Sequence, residues 1–116
     1  MAVIDINAQE LRELINNKKE KLEIIDVREK DEYGIIHIKG SRLIPMGEIQ
    51  DRLKEIDWNK EVVFICRSGS RSKISAYMVA SAAGKDIKNL RYGIYECYSD
   101  KGEYLEIDEN MIGQYF

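Results

Sequence analysis

One cysteine stands directly in front of a short polar loop: Cys66 opens the stretch CRSGSRS at residues 66–72. The loop follows the apolar run VVFI at residues 62–65, so we expect it to connect a buried strand to a helix. The small residues at 68–70 allow successive backbone N–H groups to face a common centre. A helix that begins there adds its free amides and the positive end of its dipole. Such a loop can bind an anion or stabilise a thiolate.

Thiols at helix N-termini or beside arginine have a pKa lowered from about 8.5 to between about 3.5 and 7.5. Arg67 and Arg71 flank the loop, so we expect a local positive funnel in an otherwise acidic chain. A lone cysteine is more often a small buried hydrophobe, but the combination of strand, cysteine, polar loop, arginine and helix favours an anion-binding thiolate. We therefore predict that Cys66 is the nucleophile. The predicted substrate-binding residues are Arg67, Ser68, Gly69, Ser70, Arg71 and Ser72.

Strand and helix patterns alternate along the chain. The predicted strands are AVID (2–5), LEIID (22–26), SRLI (41–44), VVFI (62–65) and DIKNL (86–90). The predicted helices are one capped by Asn7 and Glu10 that ends near Asn17, an amphipathic one over Met46 to Ile56, and one from Ser72 to about Ala83, capped by Gly84. This order predicts an α/β fold with a central, mostly parallel five-stranded sheet and helices on both faces. Ligands of such sheets bind beyond the carboxyl ends of the strands, where Cys66 falls.

Length and charge restrict the class of protein. A chain of 116 residues predicts a single domain over 1–116, and its net charge of −3 argues against general binding to nucleic acid or to an anionic membrane. Asp5 stands where a secretory signal would be basic, and no run of about 18 apolar residues occurs, so we expect a cytoplasmic protein without a membrane segment. Two cysteines and one histidine supply neither a disulfide framework nor the usual four zinc ligands, so we expect no metal and no cofactor.

Three motifs carry a resemblance to a known family. DVREKDEY, HIKGSRLIP and CRSGSRS occur in this order, and together they resemble the rhodanese-like sulfurtransferase domain over about residues 3 to 107, which leaves 108–116 as a tail. The resemblance implies that Cys66 forms a persulfide and that the backbone from Arg67 to Arg71 binds the substrate. It also implies supporting roles near the site for Asp26 and Arg28, whose alternative interpretation is a structural ion pair at a strand end.

Other residues of the motifs have less direct roles. The resemblance places Glu32 as the acidic residue that holds Arg28, and it makes His37 a structural residue rather than the base of a Cys–His pair. The chain departs from the family at Ile36, Lys39 and Ser41, and in the stretch YGIYEC, where Cys97 replaces an aromatic residue. These departures leave the structure after Leu90 open.

The resemblance implies a thiosulfate sulfurtransferase. A small anionic donor such as thiosulfate would give its sulfur to Cys66, and the persulfide would pass it to a thiol, cyanide or protein acceptor. One alternative is a persulfide carrier or interaction module in a sulfur relay. Another, which we favour less, is a cysteine phosphatase or arsenate reductase. Those sites space cysteine and arginine as C-x-x-x-x-x-R, whereas Cys66 and Arg71 are one residue closer.

Overall fold

The computed structural model describes residues 1–116 and contains a five-stranded sheet in which every neighbouring pair is parallel. The strands along the chain are β1 (Val3–Ile6), β2 (Leu22–Asp26), β3 (Ile36–Ile38), β4 (Arg42–Leu43), β5 (Glu61–Ile65), β6 (Ile87–Leu90) and β7 (Leu105–Ile107). The sheet has the order β1-β6-β5-β2-β4. The β-branched and aromatic run of β5 therefore occupies the centre, where a strand is buried on both faces. The predicted α/β fold with five central strands is confirmed.

Five α-helices connect or flank the strands. They are α1 (Ala8–Lys18), α2 (Lys30–Ile35), α3 (Ser70–Ala83), α4 (Gly93–Ser99) and α5 (Ile112–Tyr115), with 3-10 turns at Lys19–Lys21 and Met46–Glu55. The predicted capping box at the start of α1 is present, because Asn7 accepts from the Glu10 amide at 2.8 Å and Glu10 accepts from the Asn7 amide at 3.1 Å. None of these helices is long and apolar enough to cross a membrane.

Helices cover both faces of the sheet, as predicted, and divide the core in two. One apolar cluster packs α1 and α4 against the sheet through Leu11 and Ile94, and the other packs α3 and the 3-10 segment through Val79 and Ile49. Side chains of β5 alternate between the two clusters because successive residues of a strand face opposite sides. Cys66 continues this alternation on the α3 side.

Two predictions of local structure were wrong, and two short strands were missed. The segment Met46–Glu55 forms 3-10 turns with a kink at Arg52 rather than one α-helix. Helix α3 begins at Ser70 instead of Ser72, because Gly69 adopts a left-handed conformation with φ 100° and starts the helix two residues earlier. The strands β3 and β7 were not predicted; they pair antiparallel as a separate two-stranded sheet, and each has only three residues, too few for a clear periodic pattern.

The last quarter of the chain is packed onto the domain. Ile94 and Cys97 of α4 are fully buried, and Ile112 of α5 is 7% exposed. Residues 108–116, which we expected to form a tail, thus place a short helix against the core.

Candidate functional site

Cys66 lies immediately after β5, at the carboxyl edge of the parallel sheet, and is 1% exposed. Its sulfur accepts a hydrogen bond from the Gly69 backbone N–H at 3.0 Å. The Ser72 hydroxyl lies 3.4 Å from the same sulfur and 2.6 Å from Asn89 Oδ1. Because a hydroxyl carries one proton, Ser72 donates to only one of these acceptors at a time. The Gly69 amide is therefore the constant donor to the sulfur.

Several backbone amides of the loop are available to a ligand. Five N–H groups have no hydrogen-bond acceptor within the protein: those of Arg67, Ser68, Ser70, Arg71 and Ser72. The carbonyls of Cys66 and Arg67, in contrast, accept from the amides of Ile94 and Tyr95 at 2.9 and 3.2 Å. Since α3 begins at Ser70, the free amides include the first of the helix. The loop thus offers unpaired N–H groups to an anion, while amides of α4 bind the carbonyls of Cys66 and Arg67.

Two glycines allow the loop to approach the segment before α4 closely. Gly69 has φ 100° and Gly93 has φ 68°, both in the region that disfavours other residues. A Cβ on Gly69 would overlap the carbonyl of Arg91, and one on Gly93 would overlap the carbonyl of Arg67. Gly93 was not predicted to be part of the site, because the stretch around it has no periodic pattern.

Arg71 is held by Glu32 through two hydrogen bonds, of 2.7 and 2.9 Å. Burial alone would raise the pKa of the Glu32 carboxyl, but the hydrogen bonds from Arg71 and Tyr115 outweigh it and lower that pKa to about 2. The Arg71 pKa is raised, with the Glu32 hydrogen bond as the largest cause. The resemblance placed Glu32 on Arg28, and this was wrong: the carboxylate binds Arg71, while Arg28 reaches only the Glu32 backbone carbonyl, at 3.4 Å.

Arg67 points towards the C-terminal residues. Its Nη2 donates to the carbonyl oxygen of Tyr115 at 2.8 Å, and its guanidinium lies 5.2 Å from the ring centres of both Tyr115 and Phe116. Both arginines of the expected positive funnel therefore have partners within the protein: aromatic rings lie against the Arg67 guanidinium, and Glu32 pairs with Arg71, whose side chain stays 37% exposed. The amides remain the uncommitted donors.

Asp26 and Arg28 form a fully buried ion pair at the end of β2. Arg28 donates to the Asp26 carboxylate through Nε at 2.9 Å and Nη2 at 2.7 Å, and Nη2 also bonds the carbonyl oxygen of Ile36 at 2.5 Å. Neither side chain forms a hydrogen bond with Cys66. The pair joins the end of β2 to β3.

The remaining candidates lie apart from this arrangement. His37 Nδ1 is 2.9 Å from the Tyr33 carbonyl, and its ring stacks on that of Tyr33 at 4.1 Å. Its Nε2 faces Glu106 at 3.4 Å, so both ring nitrogens are engaged away from Cys66.

Cys97 is fully buried, and burial raises the pKa of its thiol to about 11. No three His, Cys, Asp or Glu side chains come together as a metal site.

Comparisons with known proteins agree with the fold and the loop. The family described as "Rhodanese-like domain" matches residues 7–100. The chain is 40% identical over 75 residues to "Putative sulfur carrier protein YrkF" of Bacillus subtilis, covering 65% of this chain but only 40% of that relative. It is 32% identical over 93 residues to a protein of Allochromatium vinosum named "Sulfurtransferase", covering 79% of this chain and 85% of that one.

A solved structure gives the same result. The rhodanese-like domain protein from Staphylococcus aureus superimposes with a TM-score of 0.75 at 30% identity, covering 94% of this chain and 100% of that chain. The family match includes β2, the Cys66 loop and all of α3. This protein belongs to the rhodanese-like domain family.

Proposed function

We propose that the protein is a sulfurtransferase that moves a sulfane sulfur from thiosulfate, or a similar small anionic donor, through a persulfide on Cys66. The observation that carries the proposal is the position of the Cys66 sulfur, 3.0 Å from the Gly69 amide and beside a loop with five further unpaired amides. These donors would stabilise a thiolate, a bound dianion and the charged persulfide in turn. The relatives named sulfurtransferase and sulfur carrier support the same chemistry.

In the first step, the Cys66 thiolate attacks the outer sulfur of thiosulfate. A bond forms between Cys66 Sγ and that sulfur, the sulfur–sulfur bond of the donor breaks, and its electron pair leaves with sulfite. In the second step, an acceptor thiolate or cyanide attacks the terminal sulfur of the persulfide and regenerates the Cys66 thiolate. Because sulfite leaves as a stable anion, no general acid is required, which suits a site whose only histidine is engaged elsewhere.

The geometry favours a compact donor. Cys66 is 1% exposed, so an approaching molecule must present a single sulfur atom rather than a bulky group. The unpaired loop amides suit a small dianion, and Arg71, held by Glu32 with its side chain 37% exposed, adds positive charge to the same loop. A protein acceptor would have to present its cysteine at the end of a narrow segment. The "sulfur carrier" name of one relative supports the alternative in which the protein passes its persulfide to such a partner within a relay.

The test compares donors in steady-state sulfur transfer. We expect thiosulfate to give a higher kcat/KM than mercaptopyruvate with cyanide or a small thiol as acceptor. A clear preference for mercaptopyruvate would overturn the choice of donor. Transfer that requires an added acceptor protein would support the relay alternative. p-Nitrophenyl phosphate serves as a control, because the short spacing from Cys66 to Arg71 predicts negligible phosphatase turnover.

A further inference from the structure

Three different groups of Tyr115 contact the Cys66 loop (residues 66–72) and the side chains next to it. Tyr115 lies outside residues 7–100, which match the family. Its hydroxyl donates to Glu32 Oε2 at 2.6 Å and accepts from Arg28 Nη1 at 3.1 Å. Its backbone carbonyl accepts from Arg67, and its ring lies under the Arg67 guanidinium. One residue of α5 therefore contacts three residues of the motifs.

The hydroxyl completes the set of hydrogen bonds around the Glu32 carboxylate. Oε1 accepts from Arg71 Nη1 at 2.7 Å and from the Glu29 amide at 3.0 Å. Oε2 accepts from Arg71 Nη2 at 2.9 Å and from the Tyr115 hydroxyl. Burial and the Glu32 hydrogen bond raise the pKa of Tyr115 to about 12, so the phenol keeps its proton at neutral pH. Both carboxylate oxygens are thus fixed from two sides.

We propose that Tyr115 is a positioning residue for the donor site, holding Arg71 in place through Glu32 with its hydroxyl and holding Arg67 with its carbonyl and ring. The proposal rests on the function proposed above, since it concerns how the same loop binds its anion. Tyr115 does not contact Cys66. Its effect is to fix the two guanidinium groups of the loop before a sulfur donor binds.

Removal of the hydroxyl should weaken anion binding without changing the chemical step. Without its second donor, Oε2 of Glu32 is held only by Arg71, and both long side chains gain freedom that binding must remove. Ordering one such side chain corresponds to a loss of about 2-fold to 10-fold in affinity. The Cys66 sulfur and the loop amides keep their positions, so kcat should stay within about twofold.

The matched variants are Tyr115→Phe and Tyr98→Phe. Both remove one phenol hydroxyl from rings that pack against Phe116, at 4.8 and 5.1 Å, but the Tyr98 hydroxyl makes no hydrogen bond. The first measurement is protection of Cys66 from iodoacetamide by sulfate, a dianion without a transferable sulfur. We expect half-protection by sulfate to require about 2-fold to 10-fold more anion in Tyr115→Phe, and no change in Tyr98→Phe.

The second measurement is the split between KM and kcat with thiosulfate. Tyr115→Phe should raise KM by the same factor and leave kcat nearly unchanged, whereas loss of a merely structural residue would lower the apparent kcat through loss of folded protein and leave KM unchanged. In a Glu32→Ala background, Tyr115→Phe should change sulfate protection no further, because the hydroxyl acts through Glu32. Equal sulfate protection in Tyr115→Phe and the wild type would overturn the proposal. If no form transfers sulfur from thiosulfate, the proposed function fails, and the sulfate measurement alone still decides the role of Tyr115.

Discussion

The two cysteines of this protein have opposite environments at the scale of single residues. Cys66 accepts a hydrogen bond from the Gly69 amide and stands beside unpaired N–H groups. Cys97 lies in the apolar cluster below α4, where burial raises the pKa of its thiol to about 11, and the charges of Glu96 and Asp100 act in the same direction. Only the first cysteine has the surroundings of a nucleophile.

We therefore predict that sulfur is carried by Cys66 alone. After brief exposure to thiosulfate, intact-mass spectrometry should show a gain of one sulfur atom, located by digestion on the peptide that contains Cys66. Cys66→Ser should abolish both the added mass and turnover, and the control Cys97→Ser should keep both. Added sulfur on Cys97, or a disulfide between the two cysteines during turnover, would contradict this assignment and favour a dithiol mechanism.

A second prediction concerns the acid stability that Glu32 provides. Its pKa of about 2 in the folded protein lies below the ordinary 4.5, so the carboxylate stabilises the fold fully above about pH 5. That contribution is lost as the pH falls towards the folded pKa. Urea unfolding should show Glu32→Gln less stable than the wild type at neutral pH, with a difference that shrinks between about pH 5 and pH 2. A difference that stays constant over this range would show that Glu32 is not held as an ionised group.

At the scale of elements, the site depends on close packing between the Cys66 loop and the start of α4. The amides of Ile94 and Tyr95 donate hydrogen bonds to two carbonyls of the loop, and two glycines with positive φ make this close contact possible. Helix α3 then begins directly at the loop, which leaves its first amides free. The direction of the loop amides is thus a consequence of a contact between two elements.

Gly93→Ala tests this contact. The positive φ alone costs a non-glycine residue about 1–2 kcal/mol, and the new methyl group would overlap the carbonyl of Arg67. We expect a lower free energy of unfolding, together with a loss of sulfur transfer in the fraction that still folds, because the loop must shift. Gly47→Ala is the control, since no heavy atom lies within 4 Å of its Cβ position. Full activity in folded Gly93→Ala would show that the loop tolerates displacement.

Local patterns predicted the elements that carry the site but not the contacts between them. The apolar run of β5 and the small residues after Cys66 were readable because burial and turn formation depend on neighbouring residues. The pairing of Glu32 with Arg71 joins positions 39 residues apart, and no sequence pattern records it. Tyr115 gave no signal for the same reason, because its partners Arg28 and Glu32 are distant in sequence.

At the scale of the whole molecule, Arg28 forms hydrogen bonds with three separate parts of the fold. It is fully buried, pairs with Asp26 at the end of β2, and bonds the carbonyl oxygen of Ile36 in β3. Its Nη1 reaches Tyr115 in α5. One guanidinium therefore joins the parallel sheet, the two-stranded sheet and the C-terminal helix, and it contacts the Tyr115 hydroxyl that also binds Glu32.

The last prediction is that Arg28→Ala destabilises the whole domain rather than the site alone. Removal of one partner from a buried ion pair leaves an uncompensated charge, here on Asp26, which costs about 3–5 kcal/mol. Arg28→Lys should recover only part of this loss, because an ammonium group cannot reproduce the forked contacts with Asp26 and the Ile36 carbonyl. The control is Arg52→Ala, whose ion pairs with Glu48 and Glu55 lie at the surface, where solvent screens them and they contribute little to stability. Guanidinium chloride unfolding of the four proteins measures these differences. If Arg28→Ala were no less stable than Arg52→Ala, the buried pair would not hold the fold together.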